Sequence, residues 1–469
     1  MKASGAERGP DLEGLRAFVR EGDRNRARFF VGREAQILDI EQVCADAFAG
    51  FLAGRPLAGA TRLIQGAPGA GKTALLSQVV ATVDSAEKKG PSRWRRFFRK
   101  AGEGNRQPKA MFVDTGDLGD PARLALRIAE WLGPGKAKKL RQTHSRGIGA
   151  QAGAGGFGVG RGDTVATGPP QAGFAEIGAL FSPEEWPGPL CLMVDEIQTL
   201  QAEQAPVLQS LHLATQGLPI VPVLAGLANS REVLARRGIS RLNEDGVHTL
   251  GRLETGQPAQ AVRAMLNCFR IESTEAAVQH WAVCLEEHSG GWPQHLQNAM
   301  RSLAEALLET NGALVGVDEA AVSARSLERR LDAYRARRSP QMAEAVFLLA
   351  SVMAAIPEGG LRLHEVVAVV DDRVRRGGGS GWRLPETMSA PDFLDHLVHR
   401  GALQPGEDDR LACPIPSFRR FLIEEGVRAF TDDYYDGYPA GDCPDPELIA
   451  LSDEMMLALE EDSGQQSLQ

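Results

Sequence analysis

The sequence lacks long apolar runs and paired cysteines. No stretch approaches the roughly 18 to 20 consecutive apolar residues that a membrane-spanning helix requires. The polar start MKASGAERGPDLEG also lacks the apolar core of a signal peptide. The six cysteines are scattered, with no C-x-x-C pair and no histidines at metal-ligand spacing. We therefore expect a cytoplasmic globular protein with reduced cysteines and no membrane span.

Basic residues are absent from the C-terminal segment. The chain carries 52 Lys or Arg and 61 Asp or Glu, which gives a net charge of -9. Eleven of the acidic residues and none of the basic ones fall in residues 429–469, so the rest of the chain has 52 positive and 50 negative charges. The sequence thus predicts a nearly neutral body followed by an acidic tail.

Five short apolar runs predict the strands of one sheet. They are ATRLIQ, AMFVDT, PLCLMVDE, PIVPVLAGL and VHTLGRL. Segments with apolar residues at helical spacing, such as KTALLSQVVATVDSAE, separate several of them. Strands that alternate with helices predict an α/β fold whose parallel sheet has helices on both faces.

The stretch GAPGAGKT lies between a predicted strand and a predicted helix and matches G-x-x-x-x-G-K-[ST]. In this pattern, glycines allow backbone N–H groups to surround phosphate oxygens at the N-terminus of the helix. Lys72 would contact the β- and γ-phosphates of ATP, and Thr73 would offer its hydroxyl to Mg²⁺. The predicted nucleotide-binding residues are Gly66, Ala67, Pro68, Gly69, Ala70, Gly71, Lys72 and Thr73. The alternative is an ordinary glycine-rich turn.

The apolar run LMVDE ends in two carboxylates. Asp195 is predicted to hold Mg²⁺ through water or through Thr73, and Glu196 to orient and polarise the water that attacks the γ-phosphoryl group. A protein that only binds nucleotide needs the first carboxylate and not the second. The pair therefore predicts ATP hydrolysis, with a solvated strand end as the alternative.

Several segments occur in an order that resembles AAA+ and STAND-type P-loop ATPases. They are FFVGREAQILDIE, GAPGAGKT, LMVDEIQ, VPVLAGLANS, GISRL and GGWPQHLQ, over about residues 29–305. The branch with this likeness includes origin-recognition-like and transposition ATPases. The resemblance implies a P-loop NTPase sheet followed by a helical lid, and a winged-helix-like domain after the lid also fits.

The resemblance also implies roles for single residues. Gly32 and Arg33 fall where the family's adenine-side segment lies. Asn229 is a candidate first sensor of the γ-phosphate, with a loop cap as the alternative. Arg241 falls where an arginine finger would be offered to the nucleotide of a neighbouring subunit, since a guanidinium suits developing phosphoryl charge. The neighbouring arginines of the sequence, Arg231, Arg236 and Arg237, are the alternatives.

In STAND switches the proline of a Gly-x-Pro packs on adenine, and Gly291-Trp292-Pro293 is similar. Pro293 can instead be simply the first residue of a helix. AAA+ motors usually place a sensing arginine on this helix, whereas here it opens with Gln294 and His295, and Arg301 follows two turns later. This departure favours a switch over a motor.

Composition and helical patterns predict the domain boundaries. These are an N-terminal arm (1–28), a P-loop ATPase domain (29–254) with a basic insertion (88–109) and a glycine-rich insertion (144–170), a helical lid (255–338), a winged-helix-like domain (340–428) and an acidic tail (429–469). The insertion WRRFFRK suits nucleic acid, an anionic membrane surface or a solvated charged helix. The tail either covers this insertion or is a solubilising extension.

The sequence predicts an ATP-hydrolysing switch that uses Mg²⁺ and forms a nucleotide-dependent homo-oligomer. The alternative is a DNA-binding loader or targeting ATPase, with nucleic acid bound through residues 88–109. The helix PDFLDHLVHR carries Asp392 and Asp395, which phosphates would repel. The winged-helix-like domain is therefore expected to bind a protein partner.

Overall fold

The structure is a computed structural model that describes part of the chain. The described residues are 9–21, 29–55, 59–87, 108–113, 115–133, 135, 137–138, 185–239, 242–335, 346–357, 359–376, 384, 388–399, 402–405, 410–415 and 419. Outside them lie Arg241, nearly all of the basic insertion, the glycine-rich insertion and the acidic tail.

The chain divides into two compact units. The sheet unit consists of residues 32–66 and 71–250, and the helical unit consists of residues 1–31, 67–70 and 251–469. The first helix, α1 (Leu12–Glu21), belongs to the helical unit. No helix of the described residues is long and apolar enough to cross a membrane.

The sheet unit alternates strands and helices. Its elements are α2 (Glu34–Leu52), β1 (Arg62–Gly66), α3 (Lys72–Glu87), β2 (Lys109–Val113), α4 (Thr115–Gly119), α5 (Pro121–Leu132), β3 (Leu190–Val194), α6 (Ala205–Ala214), β4 (Ile220–Gly226), α7 (Ser230–Arg236) and β5 (Val247–Leu250). The strand order is β2-β3-β4-β1-β5, and every pairing is parallel. The predicted α/β fold with a parallel five-stranded sheet is confirmed.

Strands β3 and β4 form the centre of the core of this unit, since all their residues are buried. Their sequences, LCLMV and IVPVLAG, are continuous apolar runs, as expected of strands covered on both faces. Because the strands are parallel, the carboxyl ends of β1, β3 and β4 lie at one edge of the sheet. This edge is where ligands bind in open parallel sheets.

A charged cluster joins α2 to the start of β1 and to β5. The Asp39 carboxylate accepts hydrogen bonds from Arg62 Nε at 2.6 Å and pairs with His248 Nε2 at 2.8 Å. Burial alone would raise the pKa of the Asp39 carboxyl, but the hydrogen bonds and charges of Arg62 and His248 outweigh it and lower that pKa. The cluster therefore stabilises the sheet unit when Asp39 is ionised.

We expect Asp39→Asn to lower the free energy of unfolding by about 1–3 kcal/mol near neutral pH, because buried Arg62 loses its carboxylate. The folded pKa lies below 3.8, so the contribution is present above that value and is lost as the pH falls through the folded pKa. Urea unfolding at about pH 7 and about pH 3 measures the difference. The control is Asp46→Asn, since Asp46 is an exposed carboxylate on the same helix. Equal losses in the two variants would contradict the assignment.

The helical unit has a core formed by five helices. They are α1, α8 (Gln257–Cys268), α9 (Glu275–Ser289), α10 (Pro293–Glu309) and α11 (Glu319–Arg335). Helix α1 lies in the segment expected to be an N-terminal arm, and its Leu15 and Phe18 are buried in this core. The Phe18 ring lies 5.2 Å from that of Phe29 and 5.8 Å from that of Phe269, between ring centroids.

A second core in the helical unit lies towards the C-terminus. Its elements are α12 (Val346–Ala355), β6 (Leu361–Arg362), α13 (Leu363–Arg376), α14 (Ala390–His399), β7 (Gln404–Pro405) and β8 (Arg410–Ala412). The three short strands form an antiparallel sheet in the order β6-β8-β7. The segment LRLHEVVAVVDDRV has apolar residues at helical spacing, but its first two residues pair with β8 as a strand and the helix begins only at Leu363.

Candidate nucleotide site

The segment GAPGAGKT connects β1 to α3, as predicted. Gly69 and Gly71 have φ values of 79° and 94°, in the left-handed region that favours glycine. Lys72 is the first residue of α3 and is only 6% exposed. Its Nζ donates a hydrogen bond to the Gly66 carbonyl oxygen at 2.8 Å. The ammonium group is thus held at the carbonyl of the last residue of β1.

A hydrogen bond links the start of α3 to the end of β3. The Thr73 hydroxyl donates to Asp195 Oδ2 at 2.6 Å, and the other carboxylate oxygen, Oδ1, accepts from the Glu196 N–H at 2.9 Å. Hydroxyl and carboxylate oxygens are ligands that Mg²⁺ accepts, usually together with waters and substrate phosphates. No cluster of three or more His, Cys, Asp or Glu among the described residues could hold a metal alone. Thr73 and Asp195 thus offer two oxygen ligands, a set that fits Mg²⁺ when nucleotide oxygens and waters supply the others.

Glu196 begins a tight turn with an unusual backbone. Its φ and ψ are 54° and 42°, a left-handed conformation that costs energy in a residue other than glycine. The turn continues as a short 3₁₀ helix, Ile197–Thr199, and the Thr199 N–H and hydroxyl both donate to the Glu196 carbonyl. The Glu196 side chain is exposed at the sheet edge.

Gln198 connects this turn to the end of β4. Its side-chain amide donates to the Glu196 carboxylate, and its Oε1 accepts from the Leu227 N–H at 3.2 Å. Gln198 was not among the predicted site residues. The signal for it in the sequence is its place two positions after Glu196. Asn229 occupies the N-cap position of α7, but its side chain makes no capping hydrogen bond.

The remaining predicted residues are Gly32, Arg33, Pro293 and Arg241. Gly32 has a φ of 74°, its N–H donates to Glu34 Oε1 at 3.2 Å, and Arg33 is 7% exposed just before α2. Pro293 is the first residue of α10, in the helical unit. Lys72, Thr73 and the Asp195–Glu196 pair lie within the sheet unit. Arg241 lies outside the described residues.

The residues present fit a nucleotide with Mg²⁺. The loop has glycines where a left-handed backbone is required, followed by a helix N-terminus that favours anions. Lys72 supplies a cation, and Thr73 with Asp195 supplies hard oxygen ligands. Glu196 is an exposed carboxylate beside these groups.

Comparison with solved structures gives matches over most of the chain. The Aeropyrum pernix ORC2 protein with ADPNP and ADP is 15% identical, and the match covers 90% of this chain and 98% of that one with a TM-score of 0.49. The structural neighbours of this chain are AAA+ P-loop ATPases. The A. pernix ORC1 protein in complex with DNA is 17% identical, with coverages of 90% and 97% and a TM-score of 0.39.

A third neighbour is the Thermotoga maritima RuvB Holliday junction branch migration motor, at 13% identity, with coverages of 86% and 98% and a TM-score of 0.36. No family model and no curated protein matches the chain. Likeness at this level of identity concerns the fold alone.

We expect Gly226→Ala to destabilise the sheet unit by about 1–3 kcal/mol, because the end of β4 has no room for a methyl group. A Cβ there would lie 2.6 Å from Ile197 Cγ1 and 2.9 Å from Gln198 Oε1. Denaturant unfolding measures the loss. Gly217→Ala is the matched control, since its Cβ would meet nothing within 4 Å. A loss no larger at residue 226 than at residue 217 would contradict the described packing.

Proposed function

We propose that the chain is an ATP-binding and ATP-hydrolysing molecular switch of the AAA+/STAND-like type. The observation that carries this proposal is the hydrogen bond between Thr73 and Asp195, with Glu196 as the next residue. This hydrogen bond joins the P-loop helix α3 to the carboxylates at the end of β3. Phosphoryl transfer that depends on Mg²⁺ needs a phosphate-binding loop and such carboxylates near one another.

Each residue has a separate task in the proposed reaction. The backbone N–H groups of the loop and the Lys72 ammonium bind the phosphates of ATP and offset their charge. Thr73 and Asp195 would hold Mg²⁺, which when bound neutralises charge that develops on the phosphate oxygens. Glu196 orients the attacking water and accepts its proton as the water oxygen forms a bond to the γ-phosphorus and the bond to ADP breaks.

Asn229 is proposed as the residue that reports on the γ-phosphate. Gln198 supports this assignment, because it joins Glu196 to the backbone at Leu227, two residues before Asn229. A shift at this end of β4 would be transmitted to the carboxylate by one side chain. Gly32 and Arg33 are proposed on the adenine side, as is Pro293, on the basis of the sequence resemblance.

The proposed switch acts through nucleotide-dependent self-assembly and through a protein partner of the C-terminal module. The element order α12-β6-α13-α14-β7-β8 supports a winged-helix-like interpretation of this module. Asp392 and Asp395 on α14 are exposed, which favours a protein partner over the phosphate backbone of DNA. A DNA-binding loader remains the alternative, through residues 88–109.

We expect Lys72→Ala and Glu196→Gln to fail in different ways. Lys72→Ala should weaken ATP binding by about 10-fold or more, because it removes a charged hydrogen-bond donor to phosphate. Glu196→Gln should retain ATP and lower turnover by about 100-fold, the order expected for a lost general base. Titration calorimetry and phosphate release measure the two quantities.

The control for these variants is Glu203→Gln, which alters another exposed carboxylate of the sheet unit. Parent and control should hydrolyse ATP at the same rate and only in the presence of Mg²⁺. Turnover in Glu196→Gln equal to that of the parent would refute the role of this carboxylate.

We expect the rate of hydrolysis per chain to rise with protein concentration, because Arg241 is proposed to act on the nucleotide of a neighbouring subunit. Arg241→Ala should then lower turnover while ATP affinity is unchanged. Arg263→Ala is the control, since Arg263 is an arginine of the helical unit that pairs with Glu275. A constant rate per chain across the range in which the protein assembles would show that hydrolysis is confined to one chain.

A further inference from the structure

The residues that open α10 contact the tip of the P-loop. Trp292 Nε1 donates to the Pro68 carbonyl oxygen at 3.1 Å, and the Gln294 N–H donates to the Gly69 carbonyl oxygen at 3.2 Å. Residues 67–70 belong to the same compact unit as α10, so this contact lies within the helical unit. We refer to residues 291–294 as the clasp.

We propose that the clasp presets the P-loop for phosphate, and that Trp292 and Gln294 are positioning residues for nucleotide binding. This inference rests on the proposed function, since it concerns the same loop. It assigns a task to Trp292, a side chain to which the sequence resemblance gives none.

The clasp is fixed by hydrogen bonds of its own backbone. Ser289, which is fully buried, accepts the Gly291 N–H on its hydroxyl at 3.2 Å and the Trp292 N–H on its carbonyl at 3.0 Å. The Gly291 carbonyl accepts from the Leu253 N–H at 2.9 Å. Trp292 is 1% exposed. The backbone hydrogen bonds and the burial of Trp292 therefore fix the position from which its indole N–H reaches the loop.

Anchoring two carbonyls determines where two amides point. In a trans peptide the C=O and the following N–H point in opposite directions. Binding of the Pro68 and Gly69 carbonyls to the clasp therefore directs the N–H groups of Gly69 and Ala70 away from the clasp, and the Ala70 N–H donates to the Ala67 carbonyl oxygen at 3.2 Å, within the loop. In a loop of this kind the N–H groups are the phosphate ligands. The clasp therefore orders the loop before phosphate binds, so that the loop loses less conformational entropy on binding.

The space at Gly69 agrees with this arrangement. A Cβ at this position would lie 2.8 Å from Trp292 Nε1 and 3.0 Å from Gln294 Cβ. Trp292 is the N-cap residue of α10, yet its side chain makes no capping hydrogen bond to the helix. An indole N–H can only donate and so cannot cap a helix N-terminus, and its hydrogen bond to the Pro68 carbonyl oxygen is the polar contact it makes here.

The test is Trp292→Phe in the full chain, which keeps an aromatic ring and removes the indole N–H. We expect ATP and ADP to bind about 3- to 10-fold more weakly, the change that follows from loss of one net hydrogen bond. Titration calorimetry gives the dissociation constants. Trp281→Phe is the matched control, because Trp281 is also buried in the helical unit and belongs to the core on α9.

The second measurement is hydrogen–deuterium exchange in the nucleotide-free protein. We expect the backbone amides of residues 67–71 to exchange faster in Trp292→Phe than in the parent or in Trp281→Phe. Unchanged exchange overturns the clasp, even if affinity falls, because the indole would then act in some other way. Faster exchange with unchanged affinity also overturns it, because the contact would be structural only.

The two proposals fail separately in this design. If the parent binds ATP and Trp292→Phe binds it equally well, the clasp is refuted and the proposed function stands. If the parent binds neither ATP nor ADP, the proposed function is refuted, and the role of the clasp in nucleotide binding is refuted with it.

Discussion

The hydrogen bond between the Thr73 hydroxyl and the Asp195 carboxylate joins residues that are 122 positions apart in the chain. It can form only because β1 and β3 both pair in parallel with β4, so that their carboxyl ends lie at the same edge. A shift of one residue in either register would point alternate side chains to the opposite face. The chemistry of the site therefore depends on the register of the central strands.

The turn after β3 adds a second constraint. Glu196 takes a left-handed backbone, and its carboxylate is bound by Gln198, which is itself fixed on the Leu227 N–H. Strain of this kind persists only where the surroundings hold it in place. Here the surroundings include Gly226, where a methyl group would displace Gln198. The Glu196 carboxylate is thus placed by the end of a neighbouring strand as well as by its own.

Local sequence patterns were sufficient to predict the sheet and the P-loop. Strands such as LCLMV are apolar throughout, and the spacing of Gly66, Lys72 and Thr73 is a strict pattern, so each signal lies within a few residues. The contacts of Gln198 and Trp292 depend on partners that are distant in sequence. The carbonyl that Trp292 binds is 224 residues away. Because every residue has a main-chain carbonyl, the residue type does not show which one accepts this hydrogen bond. Strand β6 and helix α1 were missed for a similar reason, because pairing with β8 defines the first and burial by other helices defines the second.

The absence of a side chain at Gly69 has two effects. It permits the positive φ that the turn needs, and it leaves room for the side chains of Trp292 and Gln294. A larger residue in place of Gly69 would therefore fail for two separate reasons, because its left-handed backbone would be strained and the Trp292 and Gln294 side chains would have to move. Making room at residue 292 alone would not admit a side chain at residue 69.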